Sequence, residues 1–439
     1  MYITMLGTGY VGLVSGACFS EFGFQVCCVD KNKDKINNLK NDIMPIYEPG
    51  LKSLVIKNKE AGRLTFSISI DNQIKKADII FIAVGTPTRR GDGHADLTYV
   101  YEAAEQIAKN LNGYTLIITK STVPVGTGTE VKKIIQKINP SANFDVASNP
   151  EFLREGNAID DFMRPDRVVV GVENNKAKEI ISSIYKPLYL IETPILFTDL
   201  KTAELIKYSA NAFLAVKISF INQMADLCEN VGADVHDVAR GMGLDKRIGS
   251  KFLHPGPGYG GSCFPKDTLA LIQTAKLYDT DISIVETVVK YNQKRKYNMA
   301  DKIIKIVNNK IKNKKISILG LAFKPGTDDM RDSPALDIIP KLQQAGFKIS
   351  AFDPVAMKEA KSLLNNIVFS ENIEDCLKDA DALVILTEWN EFRGLTVSKL
   401  KGLLKGKTLI DLRNALNPEN FEESDFTLVQ IGRPLKNKS

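Results

Sequence analysis

A cysteine that follows a run of glycines is the first feature of this sequence with the potential for covalent chemistry. The stretch Phe252–Asp267 contains four glycines before Cys263, and Lys266 and Asp267 follow. Glycines let a backbone approach a ligand closely, and a nearby lysine and a helix N-terminus both favour the thiolate. We predict a nucleophilic Cys263, with Asp267 on the same helix face. The alternative is an inert buried thiol, the usual state of a free cysteine and our expectation for the other five.

Two further pairs of polar residues show the four-residue spacing that places side chains on one helix face. Glu151 and Glu155 follow an Asn-Pro turn, and Lys207 and Asn211 lie in an apolar stretch. A cation and an amide one turn apart favour stabilisation of developing oxyanion charge. Ordinary surface chemistry is the alternative for each pair, because carboxylates and lysines normally face water.

The chain opens with a dinucleotide-binding fingerprint. A strand pattern, Tyr2–Leu6, leads into Gly7-Thr8-Gly9-Tyr10-Val11-Gly12, a helical stretch Leu13–Phe22, and a second strand Gln25–Val29 that ends at Asp30. The three glycines of this motif allow the tight turn, the approach of a pyrophosphate and close helix packing. Asp30 is expected to accept a hydrogen bond from a ribose 2′-hydroxyl and to repel a 2′-phosphate, which favours NAD over NADP.

Alternating strand and helix patterns then predict a parallel sheet. Further apolar runs span Ile79–Val84, Leu116–Thr119 and Asp145–Ala147, and polar or proline-containing loops follow each of them. Ligands of open α/β sheets bind beyond the carboxyl ends of the strands, so cofactor and substrate are expected at these loops. Ordinary βα connections are the alternative interpretation.

Residues Asp199–Val231 contain neither proline nor glycine, and apolar residues recur there at helical spacing. This pattern predicts one long helix, suited to a spine between domains or to a dimer interface. The segment Lys305–Lys315, rich in lysine and asparagine, is interpreted as a solvated linker.

The strand pattern of the N-terminal region recurs after this linker, which predicts a second nucleotide-type α/β domain. The repeated strand patterns are Lys315–Gly320, Ile349–Asp353 and Ala380–Leu386. The turn after the first of them lacks the full glycine fingerprint. A nucleotide other than a second dinucleotide is therefore expected, held in part by the cations Lys324 and Arg331.

Composition limits the class of protein. The 439 residues are 44% hydrophobic and 25% charged, as in globular proteins, and the length predicts about three domains. A net charge of +6 without a concentrated basic face argues against a nucleic-acid partner. Cysteines and histidines show no metal-ligand spacing, so no metal site is predicted. With neither a signal-peptide nor a membrane-anchor pattern, a cytoplasmic protein with reduced thiols is expected.

The motifs together resemble the nucleotide-sugar 6-dehydrogenases, the UDP-glucose/GDP-mannose dehydrogenase family, over nearly the whole chain. The motifs that carry the resemblance are Gly7–Gly12, Lys120–Gly126, Asn149–Gly156, Lys207–Asn211, Gly258–Asp267, and Phe323–Gly326 with Arg331. The resemblance implies two Rossmann-like doubly wound α/β domains joined by a long central helix and a helical dimerisation segment, in a homodimer. The expected bounds are 1–198 for the NAD domain, 199–310 for the helical segment with the cysteine loop, and 311–439 for the UDP-sugar domain.

The resemblance also implies a reaction, the four-electron oxidation of C6 of UDP-glucose to a carboxylate with two NAD⁺ in succession. In the family's chemistry Cys263 attacks the intermediate aldehyde, a second hydride transfer leaves a thioester, and water hydrolyses it. Lys207 and Asn211 are expected to stabilise oxyanions, and Thr122 and Asp267 to order the water. Glu151 is expected as the acid-base in hydrolysis.

Binding residues are likewise implied by the resemblance. The cofactor set is Gly7, Gly9, Tyr10, Val11, Gly12, Asp30, Lys35, Thr86, Pro87, Thr122, Glu155, Lys266 and Arg331. The substrate set is Phe152, Leu153, Arg154, Lys207, Asn211, Arg247, Phe252, Gly256, Tyr259, Gly260 and Lys324. Arg247 matches an arginine that the family supplies to the partner subunit's substrate, which would make a monomer incomplete.

Three alternatives remain open at this point. Relatives oxidise GDP-mannose or UDP-N-acetylmannosamine by the same steps, although residues 259–261 and 264–267 look more like the UDP-glucose branch. A single-step hydroxyacid dehydrogenase needs no second nucleotide domain, so the region from Lys315 onward argues against it. A catalytically silent NAD and UDP-sugar sensor is disfavoured by the complete set of catalytic residue types, because such a sensor does not need them.

Overall fold

The computed structural model describes residues 1–89, 93–307 and 314–434. Packing divides the chain into two compact units, one formed by Met1–Ala210 with Leu269–Thr280, the other by Asn211–Thr268 with the chain from Asp281 onward. The three-part division made from the sequence stays a prediction.

The first unit is built on a twisted sheet that, among the described residues, has eight strands. They are β1 (Tyr2–Leu6), β2 (Gln25–Val29), β3 (Leu64–Ser67), β4 (Ile79–Ile82), β5 (Tyr114–Thr119), β6 (Asn143–Ser148), β7 (Val168–Val172) and β8 (Ile195–Thr198). Their order is β3-β2-β1-β4-β5-β6-β7-β8. Every neighbouring pair is parallel except β6 with β7, which is antiparallel. The first six strands thus have the doubly wound dinucleotide order.

Helices cover both faces of this sheet. They are α1 (Tyr10–Glu21), α2 (Lys33–Lys40), α3 (Leu51–Glu60), α4 (Ile70–Ile74), α5 (Thr98–Asn110), α6 (Thr127–Ile138), α7 (Ala158–Met163) and α8 (Asn175–Ile184), followed by a 3₁₀ turn at Lys186–Ile191. Along β4, Ile79 and Phe81 pack into one core, and Ile80 and Ile82 into the core on the opposite face. Burial on both faces explains why these strands are continuous apolar runs.

The long helix predicted for Asp199–Val231 is α9 (Leu200–Val231), 32 residues in length. Its residues up to Ala210 belong to the first unit and those from Asn211 to the second. Three helices follow it, α10 (Val235–Gly243), α11 (Phe264–Leu277) and α12 (Ser283–Val307). Among the described residues, no helix combines the length and apolar character that crossing a membrane requires.

The second unit contains the predicted second α/β sheet. Its strands are β9 (Lys315–Leu319), β10 (Lys348–Phe352), β11 (Val368–Phe369), β12 (Ala382–Ile385), β13 (Thr408–Asp411) and β14 (Thr427–Gln430). Their order is β11-β10-β9-β12-β13-β14, with every neighbouring pair parallel, which repeats the doubly wound order. The helices between them are α13 (Pro334–Gln344), α14 (Met357–Leu363), α15 (Ile373–Leu377), α16 (Asn390–Arg393) and α17 (Val397–Leu403), with a 3₁₀ turn at Pro418–Phe421.

Several predicted boundaries differ from the structure, among them the start of α1 and the start of the linker. Helix α1 begins at Tyr10 rather than Leu13, because the last residues of the glycine fingerprint already form its first turn. The linker predicted from Lys305 begins too early, since α12 continues to Val307, which packs into the core of the second unit. The rest of that prediction falls on residues 308–313, which lie outside the described residues, and Lys315 already opens β9.

Candidate dinucleotide site and catalytic groups

The glycines of the fingerprint have three different environments. Gly7 has φ +104°, and a Cβ there would lie 2.5 Å from the carbonyl oxygen of Ala83. A Cβ on Gly12 would lie 2.1 Å from the carbonyl oxygen of Gly7, whereas one on Gly9 would meet no atom within 4 Å. Gly7 and Gly12 are therefore required by packing, while Gly9 faces open space at the N-terminus of α1, where a phosphate can approach.

Asp30 follows β2 as a well-anchored carboxylate. Its Oδ2 accepts hydrogen bonds from the Thr8 hydroxyl at 2.7 Å and the Thr8 N–H at 3.1 Å, and Lys35 Nζ lies 3.5 Å away. Its Oδ1 accepts from the Asn32 N–H at 3.0 Å. Burial raises the pKa of Asp30, but the hydrogen bonds from Asn32 and Thr8 outweigh it, so the pKa lies below its ordinary value. The group is an ionised acceptor at the place the motif assigns to the ribose hydroxyl.

The tyrosine of the fingerprint has a structural partner that the sequence analysis missed. The Tyr10 hydroxyl is hydrogen-bonded to the buried carboxylate of Glu48 and accepts a hydrogen bond from the Gly156 N–H at 3.0 Å. Glu48 also accepts from Gly156 N–H at 2.6 Å and from Ala158 N–H at 2.8 Å. This side chain thus ties the start of α1 to the loop before α7, and a cofactor contact from Tyr10 would come from its ring or its backbone.

The loops after β4 and β5, which carry other predicted cofactor residues, are joined to one another. The Thr86 hydroxyl donates to the carbonyl oxygen of Thr122 at 2.9 Å. The carbonyl oxygen of Pro87 accepts from the Asp96 N–H at 2.8 Å. These loops lie at the carboxyl ends of neighbouring parallel strands, as the predicted cofactor edge requires.

Glu151 and Lys207 form a buried ion pair. Lys207 Nζ lies 3.2 Å from Glu151 Oε1, and the two side chains are 4% and 5% exposed. Glu151 Oε2 accepts from the Leu153 N–H at 2.5 Å. The shared helix face suggested for Glu151 and Glu155 is wrong, because residues 151–157 are not helical and include a turn, with Gly156 at φ +81°, and α7 begins only at Ala158.

Two neighbours of Glu151 have their own partners. The Phe152 ring lies near two cations, with the Arg167 guanidinium 3.7 Å and Lys207 Nζ 5.0 Å from its centroid. Arg154, predicted along the sugar nucleotide, is paired with Asp161, with Nη2 2.5 Å from Oδ1. The Arg154 side chain is 57% exposed.

A second buried ammonium, Lys120, lies in a motif that carried the resemblance but received no role. Its Nζ donates to Asn149 Oδ1 at 2.9 Å and to the Tyr185 hydroxyl at 3.2 Å. Burial lowers the pKa of Lys120 to about 7, the nearby charge of Glu151 opposes this, and Lys207 lowers it further. A lysine at the end of an apolar strand was the signal available in the sequence.

In the second unit, Cys263 immediately precedes α11, so the helix N-terminus expected beside the thiol is present. Cys263 is partly exposed, whereas the other five cysteines are buried. Its Sγ lies 3.5 Å from the Ser262 hydroxyl, and its carbonyl oxygen accepts from the Asp267 N–H at 2.8 Å. The buried cysteines fit the inert interpretation, because burial raises the pKa of each, to about 11 for Cys376.

Asp267 connects two other predicted residues. Its carboxylate is buried and accepts from Asn211 Nδ2 at 2.6 Å, and Lys266 Nζ lies 2.5 Å from its other oxygen. The structure therefore brings Asn211, Lys266 and Asp267 together one turn from Cys263. A cofactor role for Lys266 would have to coexist with this ion pair.

The glycine loop before Cys263 packs closely against its own chain. A Cβ on Gly260 would lie 2.3 Å from the carbonyl oxygen of Asp332, and one on Gly261 would lie 2.6 Å from the Phe323 ring. Packing already excludes a side chain at these two positions, and a role of the loop in ligand approach stays a prediction. The Tyr259 N–H donates to Asn292 Oδ1 at 2.8 Å, which fixes the loop further.

Cations of the second unit differ in their surroundings. Arg331 is paired with Asp329, with Nε 2.8 Å from Oδ1, and Lys324 Nζ lies 5.4 Å from the Phe323 ring centroid. Arg413, which the sequence analysis missed, donates from Nη2 to the Phe323 carbonyl oxygen at 2.8 Å. Its Nη1 would lie 3.1 Å from a Cβ on Gly256, so this cation borders the glycine loop. An arginine just beyond a parallel strand, β13, was the available signal.

Two predicted substrate residues lie nearer the surface of this unit. Arg247 is 89% exposed and pairs with Asp245, with Nη2 2.6 Å from Oδ2. Phe252 has φ +66°, and its ring centroid lies 6.2 Å from that of Phe264. The exposure of Arg247 is compatible with reaching another subunit, which stays a prediction.

In the second sheet, the carboxylate at the position equivalent to Asp30 is already hydrogen-bonded to donors of the protein. Asp353 follows β10 and is fully buried, and its Oδ2 accepts from Leu321 N–H at 2.7 Å, Ala322 N–H at 3.0 Å and Trp389 Nε1 at 3.1 Å. These donors occupy the carboxylate that a ribose would use. The structure thus supports the expectation that the second domain holds something other than a dinucleotide.

Comparison with known families covers most of the chain. Residues 1–189 match the NAD binding domain of the UDP-glucose/GDP-mannose dehydrogenase family, 201–294 its central domain and 317–418 its UDP binding domain. The chain belongs to this family. It is 55% identical over 436 residues to the UDP-glucose 6-dehydrogenase of Rhizobium meliloti, covering 99% of this chain and 100% of the relative. It is 50% identical to a UDP-glucose 6-dehydrogenase of Bacillus subtilis, covering 98% and 93%. A solved UDP-glucose dehydrogenase from Pyrobaculum islandicum aligns with TM-score 0.87 and 36% identity over 94% of each chain.

Family membership confirms the resemblance seen in the sequence and the α/β fold, whereas the roles of individual residues stay predictions. In the first unit, Asp30 lies beside Lys35, and Thr86 beside Thr122, after the carboxyl ends of strands of the first sheet. Among the described residues, no three histidine, cysteine or acidic side chains are arranged to hold a metal.

Proposed function

We propose that this chain is an NAD-dependent dehydrogenase that oxidises UDP-glucose to UDP-glucuronate. The observation that carries the proposal is the 55% identity, over essentially the full length of both chains, to a relative named for this activity. The overall reaction consumes one water and two NAD⁺ for each UDP-glucose.

The first unit has the features needed to hold NAD. Gly9 leaves open space at the N-terminus of α1 for the pyrophosphate, and the ionised Asp30 offers an acceptor for the ribose hydroxyl. The other proposed cofactor residues are Gly7, Tyr10, Val11, Gly12, Lys35, Thr86, Pro87, Thr122, Glu155, Lys266 and Arg331. When bound, NAD⁺ accepts the hydride that leaves C6.

Cys263 carries the covalent part of the proposed mechanism. After the C6 alcohol has lost a hydride and a proton, the Cys263 thiolate adds to the aldehyde carbon and forms a thiohemiacetal. Loss of a second hydride leaves a thioester, and attack by water releases the carboxylate and regenerates the thiol. Partial exposure at the start of α11 supports this role, because a helix N-terminus stabilises a thiolate.

The two buried polar pairs supply the remaining groups. Lys207 stabilises oxyanions as a cation and Asn211 as an amide donor. Glu151, paired with Lys207, serves as the acid-base in hydrolysis, since a carboxylate that takes a proton from water generates the nucleophile. Asp267 and Thr122 order that water.

The UDP-sugar is assigned to the residues of the substrate set. They are Phe152, Leu153, Arg154, Lys207, Asn211, Arg247, Phe252, Gly256, Tyr259, Gly260 and Lys324. Support comes from the match of residues 317–418 to a UDP binding domain and from Arg413, a cation that borders the glycine loop.

We further propose a cytoplasmic homodimer with the domain bounds 1–198, 199–310 and 311–439. Helix α9 exposes Phe213, Phe220 and Leu227, at 65%, 42% and 52%, and their seven-residue spacing places them on one helix face. Covering such an apolar face with the same face of a second copy would remove it from water.

The deciding experiment counts NADH released per sugar nucleotide. Limiting UDP-glucose with excess NAD⁺ should give two NADH per sugar, whereas a single-step dehydrogenase gives one and a silent sensor gives none. Parallel reactions with GDP-mannose and UDP-N-acetylmannosamine test the remaining alternative, that the chain oxidises a different sugar nucleotide. Faster turnover of either one than of UDP-glucose would overturn the substrate assignment.

A further inference from the structure

A buried carboxylate on α9, Glu204, has no part in the mechanism described above. Its side chain is almost completely buried. Oε2 accepts from the Gly126 N–H at 2.6 Å, and Oε1 accepts from the Gly128 N–H at 2.8 Å and the Ser148 hydroxyl at 3.1 Å. Burial raises the pKa of Glu204, and these hydrogen bonds oppose the effect. Both oxygens of this carboxylate are therefore committed to fixed donors of the protein.

These donors belong to the two loops that carry proposed catalytic groups. Gly126 and Gly128 lie at the start of α6, four and six residues after Thr122. Ser148 ends β6, three residues before Glu151. One carboxylate thus joins α9 to the loop after β5 and to the loop after β6.

Local packing prevents this contact from relaxing easily. A Cβ on Gly128 would lie 3.1 Å from Glu204 Oε1, and Gly126 has φ +96°. At the start of α9, a Cβ on Gly171 of β7 would lie 2.7 Å from the carbonyl oxygen of Asp199 and 2.8 Å from Leu200 Cα. The first turn of α9 therefore lies directly against the sheet, and Glu204 fixes the next turn.

Lys207 follows Glu204 by three residues, about 4.5 Å along the helix axis. Its Nζ lies 3.2 Å from Glu151 Oε1, and both Glu204 and Lys207 line a small pocket with Ser148 and Pro150. A displacement of about 1 Å at a reacting group can cost about 100-fold in rate. The placement of Lys207 therefore depends on how α9 is held against the two loops.

We propose that Glu204 is a positioning residue, which holds α9 against the loops after β5 and β6 so that Lys207 and Glu151 keep their catalytic geometry. This inference rests on the proposed function. Glu204 touches neither substrate nor cofactor in this scheme, and its effect on the rate is transmitted through Lys207. A purely structural role, capping the N-terminus of α6 with an anion, is the competing explanation.

The test replaces Glu204 with glutamine, which keeps the size but turns an NH₂ group toward one backbone N–H. The matched control is Glu179→Gln on the exposed face of α8. We expect kcat for UDP-glucose oxidation to fall by about 10- to 100-fold, with KM for NAD⁺ unchanged. Thermal unfolding must show that the variant is folded at the assay temperature.

Coupling to Lys207 distinguishes positioning from capping. Lys207→Arg keeps the charge but alters its geometry. In the Lys207→Arg background, the fold-loss of kcat caused by Glu204→Gln should be at least about 10 times smaller than in the wild type. The reason is that the effects of residues that act together are non-additive. If the effects of the two substitutions on kcat simply multiply, the proposal is overturned. A Glu204→Gln variant with a lower Tm but a normal kcat would overturn it as well. Should Glu204→Gln fail to fold, Ser148→Ala removes one donor only, and the same cycle applies to it.

The wild type and Glu179→Gln keep this inference distinct from the proposed function. If both release two NADH per UDP-glucose and Glu204→Gln has normal kcat, only the positioning role is refuted. If the wild type fails to release two NADH per UDP-glucose, the proposed function falls and the inference falls with it.

Discussion

Replacing Glu151 with glutamine tests whether its carboxylate serves thioester hydrolysis. In the native protein Oε1 lies 3.2 Å from Lys207 Nζ and Oε2 accepts from the Leu153 N–H at 2.5 Å. Glutamine retains one acceptor oxygen, so its NH₂ group must face either the ammonium or the Leu153 N–H. One of the two contacts is therefore lost, together with the negative charge.

The expected magnitude follows from the role assigned to the group. A positioned acid-base contributes about 10²- to 10⁴-fold, which is about 3 to 5 kcal/mol in the barrier to hydrolysis. The two hydride transfers occur before that step and should still take place once. Glu151→Gln is thus expected to stop with the sugar attached to Cys263 as a thioester.

The assay is intact-protein mass spectrometry after incubation with UDP-glucose and NAD⁺, combined with the count of NADH in the first turnover. We expect an adduct and a burst of two NADH per active site, and no adduct in the double variant with Cys263→Ser. Glu179→Gln should turn over as the wild type does. Loss of the first hydride transfer without an adduct would place Glu151 in the oxidation steps, and near-normal turnover would make it an inert carboxylate. Either result refutes the assignment.

Three further variants test other groups. Cys263→Ser should abolish steady-state turnover but keep NAD⁺ and UDP-glucose binding by calorimetry, because a hydroxyl is far less nucleophilic than a thiolate; release of UDP-glucuronate at the wild-type rate would exclude the covalent route. Asp30→Ala should reduce the kcat/KM ratio for NAD⁺ over NADP⁺, and an unchanged ratio would limit Asp30 to its contacts within the protein. For Lys120, burial lowers the pKa from 10.5 to about 7. Between these two pH values the unfolded state therefore binds more protons than the folded state. The free energy of unfolding consequently rises with pH, by at most about 1.4 kcal/mol per pH unit. Lys120→Met should remove that contribution in denaturant titrations at pH 7 to 9, and equal slopes for variant and wild type would contradict it.

The sequence by itself determined the α/β class and the central strands of both sheets, but not the antiparallel pairing of β7 with β6. Continuous apolar strands predict a sheet covered on both faces, and β1, β2 and α9 lie within one residue of their predicted bounds. The fingerprint glycines were equally readable, since the turn at Gly7 and the contact at Gly12 are local geometric constraints. Recurrence of the N-terminal strand pattern from Lys315 onward predicted the second parallel sheet. These features depend on periodicity and on near neighbours, which a sequence displays directly.

Tertiary structure alone decided which charged groups are buried and what they bind. Glu204 accepts from Gly128, 76 residues away, and Glu48 accepts from Ala158, 110 residues away. No local pattern marks such pairs, because a carboxylate on a helix or in a turn normally faces water. The same holds for the closed carboxylate of Asp353, which resembles Asp30 in sequence position but is saturated by its own chain. Whether a polar side chain meets a ligand or another part of the protein depends on every element packed around it, and only the folded chain brings those elements together.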